Sequence, residues 1–217
     1  MQTFLFDFDG TLVDSMPTFA SLMIRILDER GISYGEDIVK IITPLGYGGA
    51  AKYFREALGV TDSEEELVGR MNEYALYEYT YNIPAKEGVS EALMKMKEMG
   101  YSLNVLTASP HVVLDPCLKR LGLYGIFDNV WSCEDFATTK ANPEIYIRAA
   151  ERIGVPVGDV IFVDDNIGAV TASMKAGAYG VGIYDKSGED FTEEFKSTAD
   201  EYVYGFDELL EICRDRA

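Results

Sequence analysis

Paired aspartates follow two apolar segments of this chain. Asp7 and Asp9 end the stretch "FLFDFDG", and Asp164 and Asp165 end the stretch "VIFVDDN". Carboxylates in such places serve as nucleophiles, as general acids or bases, or as ligands of hard divalent cations. Because Asp is also common in turns, the first pair taken alone is compatible with a plain turn after a strand.

Two groups of another kind stand in comparable places. Thr107 ends the apolar segment "LNVLT" and is followed by Ala108, and Lys140 precedes a helix start in "TTKANPEIY". A hydroxyl, a backbone N–H and an ammonium are donors that hold phosphoryl oxygens. Taken singly, Thr107 is an ordinary strand residue and Lys140 an ordinary surface lysine. Together with the aspartates, they indicate a phosphate site.

The elements around these residues predict that they meet. Strand patterns and helical patterns alternate after residue 84, which is typical of an α/β fold with a Rossmann-like, mostly parallel sheet. The predicted strands are 3–8, 101–109, 129–133, 159–166 and 178–184, with a possible edge strand at 201–205. Ligands of open parallel sheets bind beyond the carboxyl ends of the strands, so the polar groups should gather at one edge.

Gathered carboxylates repel one another and need a counter-charge. An oxygen-only donor set favours Mg²⁺. In this site Asp7 would be a nucleophile toward phosphorus, and Asp9 a general acid that later acts as a base. Thr107, Lys140 and backbone N–H groups such as that of Ala108 would hold the phosphoryl oxygens.

The segment 15–82 carries only helical patterns and interrupts the α/β alternation. Ser63 and Glu66 form a predicted capping box at the start of its longest helix. We therefore expect an inserted all-helical cap domain at 15–82 and an α/β core domain formed by 1–14 and 83–217.

A glycine-rich stretch of this segment, "TPLGYGGAAKYFR", predicts a flexible loop able to close over the active site. Tyr47, Lys52 and Arg55 are its candidates for contact with the leaving group, although Lys52 and Arg55 also fit a solvent-exposed helix face.

Composition narrows the function further. The formal net charge of −18 argues against nucleic acid and anionic membranes as partners. The expected partner is therefore a small phosphorylated metabolite. Three scattered cysteines predict a reduced, cytoplasmic protein, and no signal peptide or membrane span is expected. His111 is the only histidine, which excludes a His-rich zinc site. The oligomeric state stays open.

The motifs "DFDGTLVDS", "VLTAS", "TTKANPEIY" and "FVDDN", in this order, resemble the four motifs of the haloacid dehalogenase-like (HAD) superfamily. The insertion is similar to the helical cap of the family's first cap class. "VDSMP" looks like the phosphoglycolate-phosphatase-like branch, although that branch usually has Pro where this chain has Ala141.

The resemblance implies a reaction and a metal site. An Asp two residues after the nucleophile, here Asp9, is a feature of the family's phosphatases and phosphomutases. The implied Mg²⁺ ligands are Asp7, the backbone carbonyl of Asp9 and an acid of the fourth motif. Asp165 is the expected direct ligand and Asp164 the supporting one, although the two roles could be exchanged.

The leading hypothesis is thus a Mg²⁺-dependent phosphatase that acts through an aspartyl-phosphate. A phosphosugar mutase shares the same chemistry, but family mutases favour a histidine early in the cap, whereas His111 follows the cap. A receiver-type signalling domain is a remote alternative. Such a domain needs its acidic pair early in the chain and its phosphoacceptor on a later strand, which is the opposite of the order here, and it has no counterpart of the 15–82 insertion.

Overall fold

The structure is a computed structural model that describes residues 3–215, except for the side chains of Pro44 and Asp215. Residues 1, 2, 216 and 217 of the predicted core domain lie outside the described residues. Within these limits the chain divides into two compact units. One unit is Ser15–Ile83, and the other joins the chain before Ser15 to the chain from Pro84 onward.

The larger unit is built on a six-stranded sheet in which every described strand pairing is parallel. The strands are β1 (Thr3–Phe6), β2 (Ser102–Thr107), β3 (Asn129–Ser132), β4 (Val160–Asp164), β5 (Tyr179–Ile183) and β6 (Glu201–Val203). Their spatial order is β3-β2-β1-β4-β5-β6. The predicted edge strand is therefore present, as β6.

β1 is buried on both faces, as expected from its continuous apolar run. Phe4 and Phe6 point to one face, where Phe6 meets Phe127 and Phe206. Leu5 points to the other face and joins a cluster with Leu106 and others. Alternate side chains of a strand face opposite ways, so this one strand connects the two halves of the core.

Helices follow the strands in this unit. They are α5 (Val89–Glu98), α6 (His111–Arg120), α7 (Glu144–Ile153), α8 (Ile167–Ala176), α9 (Thr192–Thr198) and α10 (Phe206–Asp215). Short 3₁₀ turns lie at Tyr124–Ile126, Cys133–Phe136, Val157–Asp159 and Lys186–Phe191. Regular α7 begins at Glu144, in the stretch where the sequence predicts a helix start after Lys140. The Asn142 side chain accepts the N–H of Glu144, and Ile145 donates to the carbonyl of Asn142, so the first turn is a tight one.

The smaller unit contains α1 (Met16–Glu29), α2 (Ile38–Ile42), the 3₁₀ turn Thr43–Leu45, α3 (Gly46–Leu58) and α4 (Glu64–Tyr81). α4 packs against both α1 and α3. The capping box is present: Ser63 Oγ accepts the N–H of Glu66 at 3.2 Å, and Glu66 Oε2 accepts the N–H of Ser63 at 2.8 Å. Arg30 adds a two-fold hydrogen bond to Asp62.

The expectation of a flexible glycine loop is wrong. Residues 46–49 form the first turn of α3. The residues that follow are strong helix formers, and burial of Ala50, Ala51 and Phe54 stabilises the helix, so it includes the glycines at its N-terminal end. Tyr47 stacks on Phe19 with ring centroids 4.6 Å apart.

Lys52 and Arg55 are exposed on α3. Lys52 lies 4.0 Å from Glu56, and Arg55 lies 3.5 Å from Glu64. These positions match the solvent-exposed helix face that the sequence also allowed.

The predicted fold class is confirmed: a Rossmann-like parallel sheet with helices, and an all-helical segment inserted after its first strand. In residues 3–215, no helix combines the length and the apolar character needed to cross a membrane.

Candidate active site

Three adjacent strands end at the predicted site. Asp7 directly follows β1, Thr107 is the last residue of β2, and Asp164 is the last residue of β4. β1 is paired with β2 on one side and with β4 on the other, and all three run in the same direction. Their carboxyl ends therefore share one edge of the sheet, which is the edge where the sequence predicts the active site.

Three carboxylates gather at this edge. Asp7, Asp164 and Asp165 each offer an oxygen, and these oxygens lie within 4.8 Å of one another. We call these three residues the carboxylate cluster. Asp7 and Asp164 are buried, so their charges have little access to water. Such a group is costly unless cations compensate it.

Lys140 supplies one compensating charge. Its Nζ donates to Asp7 Oδ1 at 2.5 Å and to Asp164 Oδ2 at 2.8 Å. Lys140 stands in the loop between β3 and α7, so a fourth segment of the chain reaches the cluster. When all its members are ionised, the cluster with Lys140 still has two excess negative charges.

The pKa values reflect this excess. Burial raises the pKa of Asp7 well above its ordinary value; Lys140 opposes this shift, while Asp164 and Asp165 add to it. Burial and the neighbouring Asp164 raise the pKa of Asp165 to about 7. Burial alone would lower the pKa of Lys140, but Asp164 and Asp7 hold it well above its usual range. The lysine therefore stays charged, and the cluster tends to take up protons when no other cation is present.

The two fourth-motif acids differ in their hydrogen bonds. Both oxygens of Asp164 are engaged, one by the N–H of Asn166 at 2.7 Å and the other by Lys140. Asp165 accepts the hydroxyl of Thr11 at 3.1 Å through Oδ1. Thr11 Oγ1 in turn accepts the N–H of Asp165 at 3.2 Å. This pattern favours Asp165 as the metal ligand and Asp164 as its support, because Asp164 is committed to protein donors.

Gly10 makes room for Asp165. Its φ of +74° is in the left-handed region, which glycine adopts without strain. A Cβ at this position would lie 2.6 Å from Asp165 Cγ. Any other residue would therefore displace the carboxylate, and this is the structural reason for a glycine after Asp9.

The Asp9 side chain lies outside the carboxylate cluster. Its Oδ2 accepts the hydroxyl of Ser109 at 2.5 Å, and Ser109 belongs to the loop after β2. The N–H of Ser109 donates to Thr107 Oγ1 at 3.1 Å. Because Thr107 Oγ1 acts there as an acceptor, its own proton remains to be donated to a ligand. Ala108 is exposed in the same loop.

Four residues of this edge received no role from the sequence. Thr11, Ser109 and Tyr146 stand inside the recognised motifs, which was a usable signal. Lys86 had none. The hydroxyl of the buried Tyr146 contacts the carbonyls of Lys140 at 2.8 Å and Ala169 at 3.0 Å, and so fixes the backbone that carries Lys140.

The donor set fits a hard divalent cation. It consists of three carboxylates, and no described Cys or His belongs to the cluster. Its excess of two negative charges equals the charge of one such ion. Oxygen donors of this kind suit Mg²⁺.

Comparison with known proteins gives a consistent result. The model of the haloacid dehalogenase-like hydrolase family matches residues 1–177. A phosphorylated carbohydrates phosphatase of Thermotoga maritima is 29% identical over 184 residues, which cover 83% of this chain and 85% of the relative. A phosphoglycolate phosphatase of Colwellia psychrerythraea is 25% identical over 219 residues, with 96% and 95% covered.

A solved structure from Thermotoga maritima, provisionally assigned as a β-phosphoglucomutase, has a TM-score of 0.85 and 26% identity. The similarity covers 99% of each chain. The family model matches most of this chain, so the expected enzyme class, a hydrolase with the HAD-like fold, is confirmed. The chain belongs to the haloacid dehalogenase-like hydrolase family.

Proposed function

We propose that this chain is a Mg²⁺-dependent phosphatase that hydrolyses a small phosphorylated metabolite through a phosphoryl group carried on Asp7. One observation carries the proposal: Asp7, Asp164 and Asp165 gather around Lys140 at the carboxyl edge of the sheet with more negative charge than the protein compensates. Uncompensated carboxylates of this kind destabilise the fold, and they are typical of a site that binds a cation and a phosphoryl group.

Asp7, the backbone carbonyl of Asp9, and Asp165 would hold Mg²⁺, with Asp164 in support. The bound ion would supply positive charge that offsets the cluster and the substrate phosphate. Burial and repulsion favour the protonated form of Asp7, so the cation also explains how a carboxylate nucleophile is available at neutral pH.

In the first half of the reaction, an Asp7 oxygen attacks phosphorus and forms a new P–O bond. The bond from phosphorus to the ester oxygen breaks, and Asp9 gives its proton to that leaving oxygen. Ser109 holds the Asp9 carboxyl group at the loop after β2, so Asp9 is positioned by a neighbouring strand as well as by its own.

In the second half, water attacks the same phosphorus and gives a proton to Asp9. The bond between phosphorus and Asp7 breaks, which releases inorganic phosphate and restores the Asp7 carboxylate. The acid of the first step acts as the base of the second, so the proton returns to Asp9 and the cycle closes.

Three donors would bind the phosphoryl oxygens during both steps. Thr107 has a hydroxyl proton to donate, Ala108 has a backbone N–H in the exposed loop, and Lys140 has a cationic ammonium. Lys140 is fixed by Asp7 and Asp164, and Tyr146 holds its carbonyl, so its ammonium needs no reorganisation before the reaction.

The relatives support a small phosphorylated substrate, since the two curated relatives described above are phosphatases of carbohydrate phosphates and of phosphoglycolate. The similarity to a provisionally assigned β-phosphoglucomutase keeps intramolecular phosphoryl transfer as the second candidate. Membership of this family leaves the receiver-type alternative without support. We also propose a cytoplasmic location, which three buried, unpaired cysteines fit.

The test compares D7N with D128N. Asp128 is also paired with a lysine, but its partners Lys97, Ser102 and Leu103 lie at the opposite end of β2. We expect D7N to lower phosphate release from an aryl phosphate with Mg²⁺ by on the order of 10³-fold or more, since it removes the nucleophile. D128N should retain activity.

Undiminished turnover in D7N would refute the nucleophile assignment. Conversion of a hexose 1-phosphate to its 6-phosphate without release of inorganic phosphate would favour the mutase instead.

A further inference from the structure

Lys86 lies just after the chain returns to the larger unit, and its ammonium is fully used. Nζ donates to the carbonyl of Gly10 at 2.6 Å, to the carbonyl of Tyr184 at 2.9 Å and to Asp185 Oδ2 at 2.9 Å. An ammonium has three N–H donors, so each has a partner. Lys86 therefore joins three segments that are far apart in the sequence.

Asp185 is a firm anchor for this lysine. It is buried, and its second oxygen, Oδ1, accepts both the N–H of Ser187 at 2.8 Å and the Ser187 hydroxyl at 2.6 Å. Burial would raise the pKa of Asp185, but Ser187 and Lys86 together hold it below its ordinary value. The carboxylate is charged, and its three hydrogen bonds fix its orientation.

The Gly10 carbonyl is the point at which this anchor reaches the active site. Gly10 stands between Asp9, whose carbonyl is a candidate metal ligand, and Thr11, whose hydroxyl holds Asp165. The Gly10 carbonyl and the Thr11 N–H belong to one planar peptide group, so fixing the carbonyl oxygen also fixes the orientation of the Thr11 N–H. Movement of that carbonyl would disturb Asp9 on one side and the Thr11–Asp165 pair on the other.

We propose that Lys86, anchored by Asp185, is a positioning residue that holds the loop 9–11 in the geometry needed for divalent-cation binding. Asp185 and Lys86 do not touch the carboxylate cluster through any described hydrogen bond, so the contact that carries their effect on the loop is the one to the Gly10 carbonyl. The consequence for the cation rests on the proposed function, whereas the effect on the loop does not.

The chain offers a matched control. Lys97 donates to Asp128 at 2.6 Å in the same unit, but this pair stands at the amino end of β2. Replacement of either lysine by methionine keeps an unbranched side chain that is one atom shorter and removes one Lys–Asp pair. Only the K86M variant releases the Gly10 carbonyl.

The experiment uses two readouts on wild type, K86M, K86R and K97M. The first is hydrogen exchange of the metal-free protein at the amides of Gly10, Leu12 and Val13. Gly10 donates to the carbonyl of Val13, and the other two donate to the carbonyl of Phe8, so these bonds close the turn around the loop. The second is the Kd for Mg²⁺ from calorimetry. We expect K86M to speed the exchange and to weaken Mg²⁺ binding by about tenfold each, as outer-shell changes do. K86R should recover part of both, and K97M should change neither.

The proposal would be overturned if K86M and K97M had the same amide exchange and the same Mg²⁺ affinity. Lys86 and Asp185 would then form only a structural ion pair. If the wild type binds no Mg²⁺, the proposed function fails, but the exchange readout still decides the effect on the loop. If K86M does not fold, D185N takes its place, because it keeps the ammonium and weakens its anchor. Unchanged loop exchange in D185N would then contradict the proposal.

Discussion

The two ends of the parallel sheet each hold a lysine against aspartate, with opposite consequences. At the amino end, Lys97 faces Asp128 alone, and Ser102 and the N–H of Leu103 also donate to that carboxylate. Burial would raise the pKa of Asp128, but these donors hold it below its ordinary value. At the carboxyl end, Lys140 faces three carboxylates, and the pKa of Asp7 is raised.

The balance of charge distinguishes a structural ion pair from a reactive site. The Lys97–Asp128 pair at the amino end has no net charge, and Asp128 accepts further hydrogen bonds from Ser102 and Leu103, so no ligand is needed to stabilise it. The carboxyl-end cluster is short of positive charge although Asp7 and Asp164 are buried, which is the condition of a site completed by a cation. The position of the excess charge, rather than the number of ion pairs, points to function.

The largest effect should come from the two lysines. K140M leaves buried carboxylates without their cation, and we expect it to lower the free energy of unfolding at pH 8 by about 3–5 kcal/mol. K97M removes a half-exposed pair and should cost about 1 kcal/mol or less. Urea titration of the metal-free variants measures both. Similar small losses would show that the two ends are electrostatically alike.

The next effect separates the two fourth-motif acids. D165N should raise the Kd for Mg²⁺ by about 100-fold or more, since it removes a direct ligand. D164N should raise it by about tenfold, because it disturbs Lys140 and the turn at Asn166. Calorimetric titration of both variants measures this difference. The reverse ranking would assign the direct ligand to Asp164.

A smaller effect follows from the pKa of about 7 for Asp165 without metal. A proton and the cation compete for this carboxylate, so binding is strongest above pH 7 and weakens as the pH falls through it. Because the pKa of Asp7 is raised as well, we expect the Kd for Mg²⁺ to rise by at least about tenfold per pH unit below pH 7. Titration between pH 5 and 9 measures this slope. A Kd that is independent of pH would mean that Asp165 is already ionised without the metal.

The smallest effect concerns His111 at the start of α6, near the carboxyl end of β2. Like Lys97 at the amino end, it is paired with carboxylates. Its ring nitrogens each lie 2.8 Å from a carboxylate, of Asp115 and Asp135, and these carboxylates raise its pKa. Its stabilisation should be complete below about pH 6.5 and should be lost as the pH rises through the raised pKa.

Because the His111 side chain is 39% exposed, we expect at most about 1 kcal/mol from it. The difference in unfolding free energy between wild type and H111Q at pH 5.5 and pH 9 measures this contribution. An equal difference at the two pH values would contradict the charged pairing.

Much of the fold and part of the site follow from local patterns. The buried run before Asp7 predicts a central strand, and the polar residues at the strand ends predict one edge where they meet. Ser63 and Glu66 predict a helix start because a capping box depends only on neighbours in the chain. Resemblance of the motifs then assigns roles to Asp7 and Asp9.

The rest depends on contacts that a linear pattern does not contain. Lys86 meets Gly10 across 76 residues and Asp185 across 99, so no local signal marks it. Likewise, Ser109 reaches Asp9 across 100 residues. The helical glycines at 46–49 were mispredicted for another reason: burial of the residues that follow them outweighs their weak propensity.

The central claim is that a divalent cation completes the carboxylate cluster. The most direct measurement is the anomalous diffraction of Mn²⁺, as a stand-in for Mg²⁺, in crystals of the wild-type protein. We expect a peak about 2.1–2.2 Å from oxygens of both Asp7 and Asp165 and from the carbonyl of Asp9. A fully occupied peak elsewhere, or density with no ion between Asp7 and Asp165 at saturating Mn²⁺, would contradict it.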